Sequence, residues 1–194
     1  MKGIFVLCLA LLFAQSAQAQ WAKTHSGGLE LSLGAAVGLN QIPEESELKA
    51  TSLPQALWGD LGLADWLRFS AGYLQHSAKL EYTAYNKDWS HRFKVTEWYL
   101  AYLHLYPLSD RFDLRSQWGL TQVSAKMTTN QGAADASANA AGWLFGCGLH
   151  YQVGLIEDLD MGVDLLITSA SAELGGTKIS LGTNQLLFGA AYHF

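Results

Sequence analysis

The ionisable residues best suited to chemistry in this chain occur one at a time, each directly beside at least one large apolar residue. That arrangement is typical of strands with one charged face and one apolar face. The set consists of Glu30, Asp60, Arg68, Glu97, Arg115, His150, Asp160, Asp164 and His193. Acids and bases occur together in it, and buried charges require partners. We therefore expect these side chains to pair inside the folded chain as a structural polar network, rather than to form a reaction centre.

Two of these pairings are predicted from the positions of turn-like segments. Asp60 and Arg68 lie at equal distances from residue 64, and would face each other across a hairpin that turns there. His150 and Asp160 are related in the same way to residue 155. Inward charges can alternatively conduct protons or ions, so a relay or an ion path is a second hypothesis for the same residues.

Metal binding and catalysis are weaker interpretations of the sequence. Four residues offer carboxylate and imidazole groups, which suit zinc or nickel. They are Glu30, His150, Asp160 and His193. No two of them have the short spacing of a metal motif, so we expect no metal and no other cofactor. His76 and Ser77 are adjacent, but no motif around them would orient the imidazole for nucleophilic catalysis, and we expect no enzyme activity.

The elements that must position the charges are strands of alternating polarity. In the last ten residues, every second residue from Leu186 to Phe194 is apolar, and the intervening residues are small or polar apart from Leu187. The clearest repeat covers residues 29–39, where leucine, alanine or valine alternates with small residues and a glutamate. About 11 residues with a period of two match a tilted strand that crosses a membrane.

Eight such segments follow one another, and the connections between them alternate between long and short. Long connections are predicted at residues 40–52, 76–92, 124–141 and 169–178, and short turns at 64–66, 107–111 and 155–158. The second long connection fits either a loop or a hairpin that stands above a membrane. Long connections on one side and short turns on the other are typical of membrane barrels.

The fourth segment, residues 93–106, is the hardest to assign to faces. Apolar residues occupy both of its alternating sets. We place Trp98, Leu100 and Tyr102 outward, which puts Glu97 inward.

The composition also favours a membrane protein made of strands. Charged residues form only 15% of the 194 residues, against roughly 25% in soluble domains, and no mature segment has the ~20 apolar residues of a spanning helix. A closed barrel is the other structure that satisfies its backbone hydrogen bonds within lipid. The net charge of -5 offers no basic surface for nucleic acid.

The N-terminus has the pattern of a signal peptide over residues 1–19. The pattern consists of Lys2, the apolar run 4–13 and the segment Ala17 to Ala19. We expect one domain to follow it over residues 20–194.

Together, the signal peptide, the eight alternating segments and the terminal aromatic residue resemble the small outer-membrane β-barrels typified by the OmpA membrane domain and OmpX. The resemblance covers the whole mature chain and implies an all-β, eight-stranded antiparallel up-and-down transmembrane barrel in the bacterial outer membrane. In that family the barrel-assembly machinery reads the end of the chain, which assigns Phe194 and Tyr192 to an assembly signal. A soluble lipocalin-like barrel would have its apolar faces inside. The charges here lie consistently opposite the leucines, which favours the membrane arrangement.

The predicted role is structural or one of surface interaction, in adhesion or envelope integrity. A narrow passive channel and, less favoured, a lipid-A-modifying enzyme are the alternatives. The expected partners are outer-membrane lipids and lipopolysaccharide, the barrel-assembly machinery, and an extracellular ligand or host surface. Tyr82, Tyr85 and Trp89 form the predicted contact patch. We expect a monomer that binds no nucleic acid, with a lumen only wide enough for side chains.

Overall fold

The computed structural model of the protein describes residues 29–41, 49–50, 52–64, 67–84, 87–129, 136–153, 156, 158–174 and 177–194. The predicted signal peptide lies outside these residues. Ten strands occur in the described part of the chain. They are β1 Glu30–Gln41, β2 Lys49–Ala50, β3 Gln55–Ala64, β4 Leu67–Ala84, β5 Lys87–Pro107, β6 Phe112–Thr129, β7 Ala136–Gln152, β8 Leu159–Leu174, β9 Thr177–Ser180 and β10 Asn184–His193. No helix within the described ranges is long and apolar enough to cross a membrane.

The eight long strands close into one antiparallel ring. Each long strand pairs with the next along the chain, and β10 pairs with both β8 and β1. The short β9 pairs with β8 in the register that β10 continues, while β2 adds two residues beside β4. The predicted eight-stranded antiparallel barrel is therefore confirmed. Closure leaves the paired ladders of the ring without a free edge.

Large apolar side chains cover the outside of the ring over most of its height. The most exposed of them include Leu33, Leu57, Trp98, Leu100, Trp118, Leu120, Trp143, Met161 and Phe188. A continuous belt of this kind is unfavourable in water and is the surface that a membrane barrel presents to hydrocarbon. In β5, Trp98 and Leu100 are exposed and Glu97 is buried, as the sequence predicted for this strand.

Beyond the belt, at the end that carries the β4–β5, β6–β7 and β8–β9 connections, the pattern inverts. We call this the long-hairpin end, and the opposite one the short-turn end. Here Arg92 and Lys94 point outward, whereas Phe93 and Val95 between and beside them are buried inside. The strands keep their parity across the boundary, so the same β5 has lipid-facing residues below and a water-facing outer surface above. The upper part of the barrel is thus built like a soluble protein, with its apolar side chains inside.

The prediction of a long loop is wrong for two segments, because strands extend into both of them. In residues 124–141, β6 continues to Thr129 and β7 begins at Ala136, and in residues 169–178, β8 continues to Leu174 and β9 begins at Thr177. Both segments are rich in small residues, above all Ser and Ala, and this small size conceals an alternation of inward alanines and outward polar residues. Residues 76–92 form the hairpin alternative, and most of residues 40–52 lie outside the described ranges.

Candidate functional site

The lumen at the short-turn end contains a buried ion pair that crosses the barrel. Arg115 on β6 donates two hydrogen bonds of 2.8 Å to the two carboxylate oxygens of Asp60 on β3. The guanidinium also donates to Ser70 Oγ at 3.1 Å and lies 5.8 Å from the centre of the Trp58 ring. Ser32 donates a further hydrogen bond of 3.1 Å to Asp60. Bidentate pairing and three different neighbours hold this arginine in one orientation.

Three further ion pairs surround the first one. Arg68 pairs with Glu30 on β1, His150 Nε2 lies 3.0 Å from Asp164 Oδ2, and His193 Nε2 lies 2.8 Å from Asp160 Oδ2. Every lumen residue predicted at this end of the barrel therefore has an oppositely charged or hydrogen-bonding partner. We call this group of four pairs the lumen floor.

Both pairings predicted from the turns are wrong. Asp60 lies opposite Ser70 rather than Arg68, because the β3–β4 ladder is centred on residue 65, one position later than predicted. Arg68 reaches Glu30 instead.

The predicted partner of His150 also differs. His150 lies opposite Gly162, because the β7–β8 ladder turns around residue 156, one position later than predicted. A shift of one position moves the residue opposite His150 by two, from Asp160 to Gly162. The imidazole of His150 contacts Asp164, the next inward residue of β8, and Asp160 pairs with His193. The faces were predictable from parity, but the partners depend on the register.

The residues of the lumen floor line a small cavity of about 30 Å³ that opens toward the short-turn end. Glu30, Asp60, Arg68, Asp113, Arg115, His150, Asp160 and His193 line it. This volume holds only about one or two water molecules. The charges thus fill the floor and leave no room for a substrate.

Glu97 belongs to a separate polar cluster higher in the lumen. Its side chain is 0% exposed, and its carboxylate lies 3.8 Å from His76 Nδ1 and 3.5 Å from the Thr183 hydroxyl. Thr183 in turn accepts a 2.8 Å hydrogen bond from Gln185 and lies 3.2 Å from Thr168 Oγ1. Thr168, Thr183, Gln185 and His76 were absent from the predicted network, since three of them are uncharged. Each of them lies at an inward position in the alternation of side chains along the chain, and this position was the signal that could have identified them.

Two apolar layers separate these polar levels from each other and from the long-hairpin end. The order is visible along β8, where the inward residues run from Asp164 through Leu166 and Thr168 to Ala170. The first layer, between the lumen floor and the Glu97 cluster, consists of Ala36, Ala56, Trp58, Leu74, Tyr99, Ala101, Leu144, Leu166, Leu187 and Ala191. The second, which we call the apolar plug, consists of Ala78, Phe93, Val95, Val123, Ala125, Ala140, Ala170, Ala172 and Leu181. Each member is at most 8% exposed, so neither layer contains an open aqueous path.

Large lumen side chains are accommodated because each lies across from a glycine on the neighbouring strand. Trp58 is paired with Gly34, Tyr99 with Gly72, Gln117 with Gly146, Asp164 with Gly148, and His150 with Gly162. A Cβ atom added at any of these glycines would overlap the facing side chain. The glycines therefore provide the space that a narrow lumen needs for an indole, a phenol or an imidazole.

We expect Gly34→Ala to destabilise the barrel by about 1–3 kcal/mol, the usual cost of overpacking a tight core. The matched control is Gly59→Ala on the lipid face, where the nearest atom to an added Cβ is Leu33 Cδ2 at 3.1 Å. Since Leu33 is exposed and flexible, Gly59→Ala should change the stability by less than about 0.5 kcal/mol. Urea titration of both variants in lipid vesicles measures the difference. Equal midpoints would contradict a tightly packed lumen.

Among the described residues, no three His, Cys, Asp or Glu side chains are grouped as metal ligands. His76 is buried in the lumen, whereas Ser77 points outward, and its N–H donates to Ser52 Oγ at 2.8 Å. Adjacent residues of a strand point to opposite faces, so this serine and this histidine cannot act on one substrate.

The family model for the outer membrane protein beta-barrel domain matches residues 5–194. The chain belongs to this family. It is accordingly a protein of the bacterial outer membrane. In such barrels the short turns face the periplasm and the longer connections face the outside of the cell.

Solved structures of outer-membrane barrels have the same fold. A major outer membrane protein from Thermus thermophilus is 14% identical, with a TM-score of 0.54, and the alignment covers 86% of this chain and 100% of that one. Neisserial surface protein A (NspA) has 14% identity, a TM-score of 0.53 and coverages of 86% and 97%. OprG from Pseudomonas aeruginosa has 15% identity, a TM-score of 0.53 and coverages of 88% and 97%. No curated protein matches the chain.

The remaining predicted residues of this outer-membrane barrel lie at its two ends. At the periplasmic end, the rings of Tyr192 and Phe194 contact each other edge to face, with centroids 5.1 Å apart. At the outer end, the backbone of Tyr82 lies opposite that of Trp89, their side chains are not described, and Tyr85 lies outside the described residues. Tyr82 and Trp89 of the predicted contact patch therefore lie near the top of the β4–β5 hairpin.

Proposed function

We propose that this outer-membrane barrel is a closed, non-catalytic surface protein that contacts partners outside the cell through the part of its sheet that projects from the membrane. The observation that supports this most is the apolar plug. A channel needs a continuous hydrated lumen, whereas Phe93 and Val123 in the plug are at most 1% exposed. Below the plug, Leu74 in the first apolar layer is 0% exposed.

The projecting part supports a role in surface contact. β4 and β5 remain paired up to Ala84 and Lys87, and β6 and β7 up to Met127 and Ala136, well beyond the lipid-facing belt. Hydrogen-bonded strands hold a surface in one shape, which loops of the same length would not do. A rigid polar surface of this kind suits contact with an extracellular ligand or a host surface, and its aromatic residues are candidates for the centre of that contact.

Catalysis is the least supported role. The serine–histidine pair considered from the sequence, His76 and Ser77, is divided between the two faces of β4. The ionisable groups of the lumen floor are engaged with one another around a cavity too small for a lipid substrate.

Conductance recording tests the closed lumen. The purified barrel in a planar bilayer should give no current steps above the baseline across both polarities. Regular steps would favour the narrow passive channel instead.

The contact role is tested on the same protein in cells. A variant in which an Asn-Gly turn replaces residues 81–90 should lose adhesion to cultured epithelial cells while it still reaches the outer membrane. The matched control shortens the β6–β7 hairpin in the same way, with Asn-Gly between Lys126 and Ser137, and should retain adhesion. Equal adhesion of cells with and without the protein would remove the surface-contact proposal.

A further inference from the structure

Four basic side chains occupy the outer face of three adjacent strands, just beyond the lipid-facing belt. They are Lys79 on β4, Arg92 and Lys94 on β5, and Lys126 on β6. Lys79 lies directly opposite Arg92, and Lys94 directly opposite Lys126. Arg92 and Lys94 are two residues apart and share the outward face. We call these four residues the basic patch.

Such pairing is unfavourable without an anion. Like charges directly opposite each other on neighbouring strands destabilise a sheet, and the patch contains two such pairs side by side. Glu81 offsets part of the charge through an ion pair of 2.6 Å with Lys79. The four basic side chains and Glu81 together carry a formal charge of +3, on a chain whose net charge is -5. The positive charge is thus concentrated locally in an acidic protein.

The height of the basic patch relative to the belt indicates what the anion is. The belt ends on these strands at Tyr73 and Trp98, whose rings are 4.7 Å apart, as in an aromatic girdle. Lys94 lies four residues beyond Trp98, which at about 3.3 Å per residue and a tilt of about 40° places it roughly 10 Å above the girdle. The headgroup layer of a bilayer extends about 5–8 Å beyond the hydrocarbon, and lysine and arginine side chains bend toward it easily. Lys94, and Lys126 opposite it, can therefore reach the phosphate level of the outer leaflet, and Arg92 and Lys79 lie about 5 Å further out.

The surface between the girdle and the basic patch suits a sugar headgroup. Thr96 lies opposite Gln75 on one side and Ser124 on the other, and Gln122 lies opposite Trp98. These outward side chains are uncharged and can donate and accept hydrogen bonds. Below them Leu100 and Leu120, each about 60% exposed, offer an apolar surface for acyl chains. From the membrane outward, the wall thus offers an apolar level for acyl chains, an uncharged polar level for the sugar, and a cationic level for phosphate.

The geometry points to the basic patch as a binding site for the phosphorylated headgroup of an outer-leaflet glycolipid of the lipid A class. Arg92 is the residue able to bind one phosphate through two parallel hydrogen bonds, and the lysines contribute point charges. The two cation pairs offer separate positions for two phosphates. The site lies on the wall beside the membrane and does not depend on the proposed contact role of the hairpin tips.

The test measures lipid retained by the barrel. The wild-type protein is reconstituted in phosphatidylcholine nanodiscs that contain bisphosphorylated lipid A, extracted with mild detergent, and examined by native mass spectrometry. We expect the wild type to retain lipid A. The triple variant Arg92→Ser/Lys94→Ser/Lys126→Ser should bind it about a hundredfold more weakly, because each basic residue near a phosphate-bearing surface contributes about fivefold to the affinity. All three side chains are outward, and Arg92, Lys94 and Lys126 are exposed, so the variant should fold normally.

Controls separate this site from general electrostatic attraction. Lys94→Ser alone should weaken retention about fivefold, whereas Arg111→Ser, which removes an exposed cation at the periplasmic end, should have no effect. Dephosphorylated lipid A should be retained weakly by every variant. Equal retention by the wild type and the triple variant, or an equal loss in Arg111→Ser, would overturn the proposal. So would displacement of lipid A by millimolar inorganic phosphate or by a soluble sulfated polysaccharide, which would make the patch a general polyanion site.

Discussion

Replacing Arg115 by methionine should lower the free energy of unfolding by about 3–5 kcal/mol, the cost of removing one partner from a buried ion pair. The side chain of Arg115 is 5% exposed and makes three hydrogen bonds, two of them to Asp60. Without the guanidinium, the carboxylate of Asp60 remains in the lumen with Ser32 as its hydrogen-bond donor. Urea titration of folding into lipid vesicles, followed by tryptophan fluorescence, measures the loss.

The double variant Arg115→Met/Asp60→Leu distinguishes an unpaired charge from lost packing. Replacement of both partners by apolar residues of similar volume is often neutral, so the double variant should recover most of the stability that the single variant loses. Arg68→Met is the matched control, because its partner Glu30 is 34% exposed at the open rim. A pair with such access to water contributes about 0–1 kcal/mol. Equal losses from Arg68→Met and Arg115→Met would show that burial does not determine the importance of these pairs.

The barrel itself could be predicted from the sequence, because a period of two is visible wherever large apolar residues alternate with small or polar ones. The same parity placed Glu97 inside and Trp98 outside in the most ambiguous strand. The prediction failed where most residues on both faces are small, as in β6 after Ser124 and in β7 before Ala141. There the strand continues without a contrast in side-chain size that would reveal it.

The site was predictable as a set of inward residues but not as a set of contacts. Asp60 and Arg115 lie on β3 and β6, which are not neighbours in the ring, so no local spacing relates them. Their meeting depends on the shear of the whole barrel. The prediction of contacts between neighbouring strands failed for a smaller reason. A register error of one position at a turn gave His150 the wrong partner, and Asp160 pairs with His193 instead. The glycines opposite Trp58 and Tyr99 are likewise recognisable only once the register is known.

The largest effect in cells is expected from Phe194→Ser, which should greatly reduce the amount of barrel in the outer membrane. The Phe194 side chain is 71% exposed, and its backbone N–H donates to the Leu31 oxygen at 2.9 Å, a bond that serine keeps. The substitution therefore removes little from the folded barrel itself. A strong loss in cells would arise from poor recognition of the chain end during assembly, the role that the resemblance to small outer-membrane barrels implies for Phe194 and Tyr192.

Comparison with Phe112→Ser separates recognition from stability. Phe112 is also an exposed aromatic residue at the periplasmic end, with its ring 4.9 Å from that of Tyr151. Both variants lose an aromatic ring at the membrane interface, so their purified barrels should have similar stabilities in vesicles. Only Phe194→Ser should be depleted from outer-membrane fractions and accumulate as periplasmic fragments, measured by immunoblotting of both compartments. Equal depletion of the two variants would mean that lost interfacial anchoring, rather than the chain end as a signal, controls assembly.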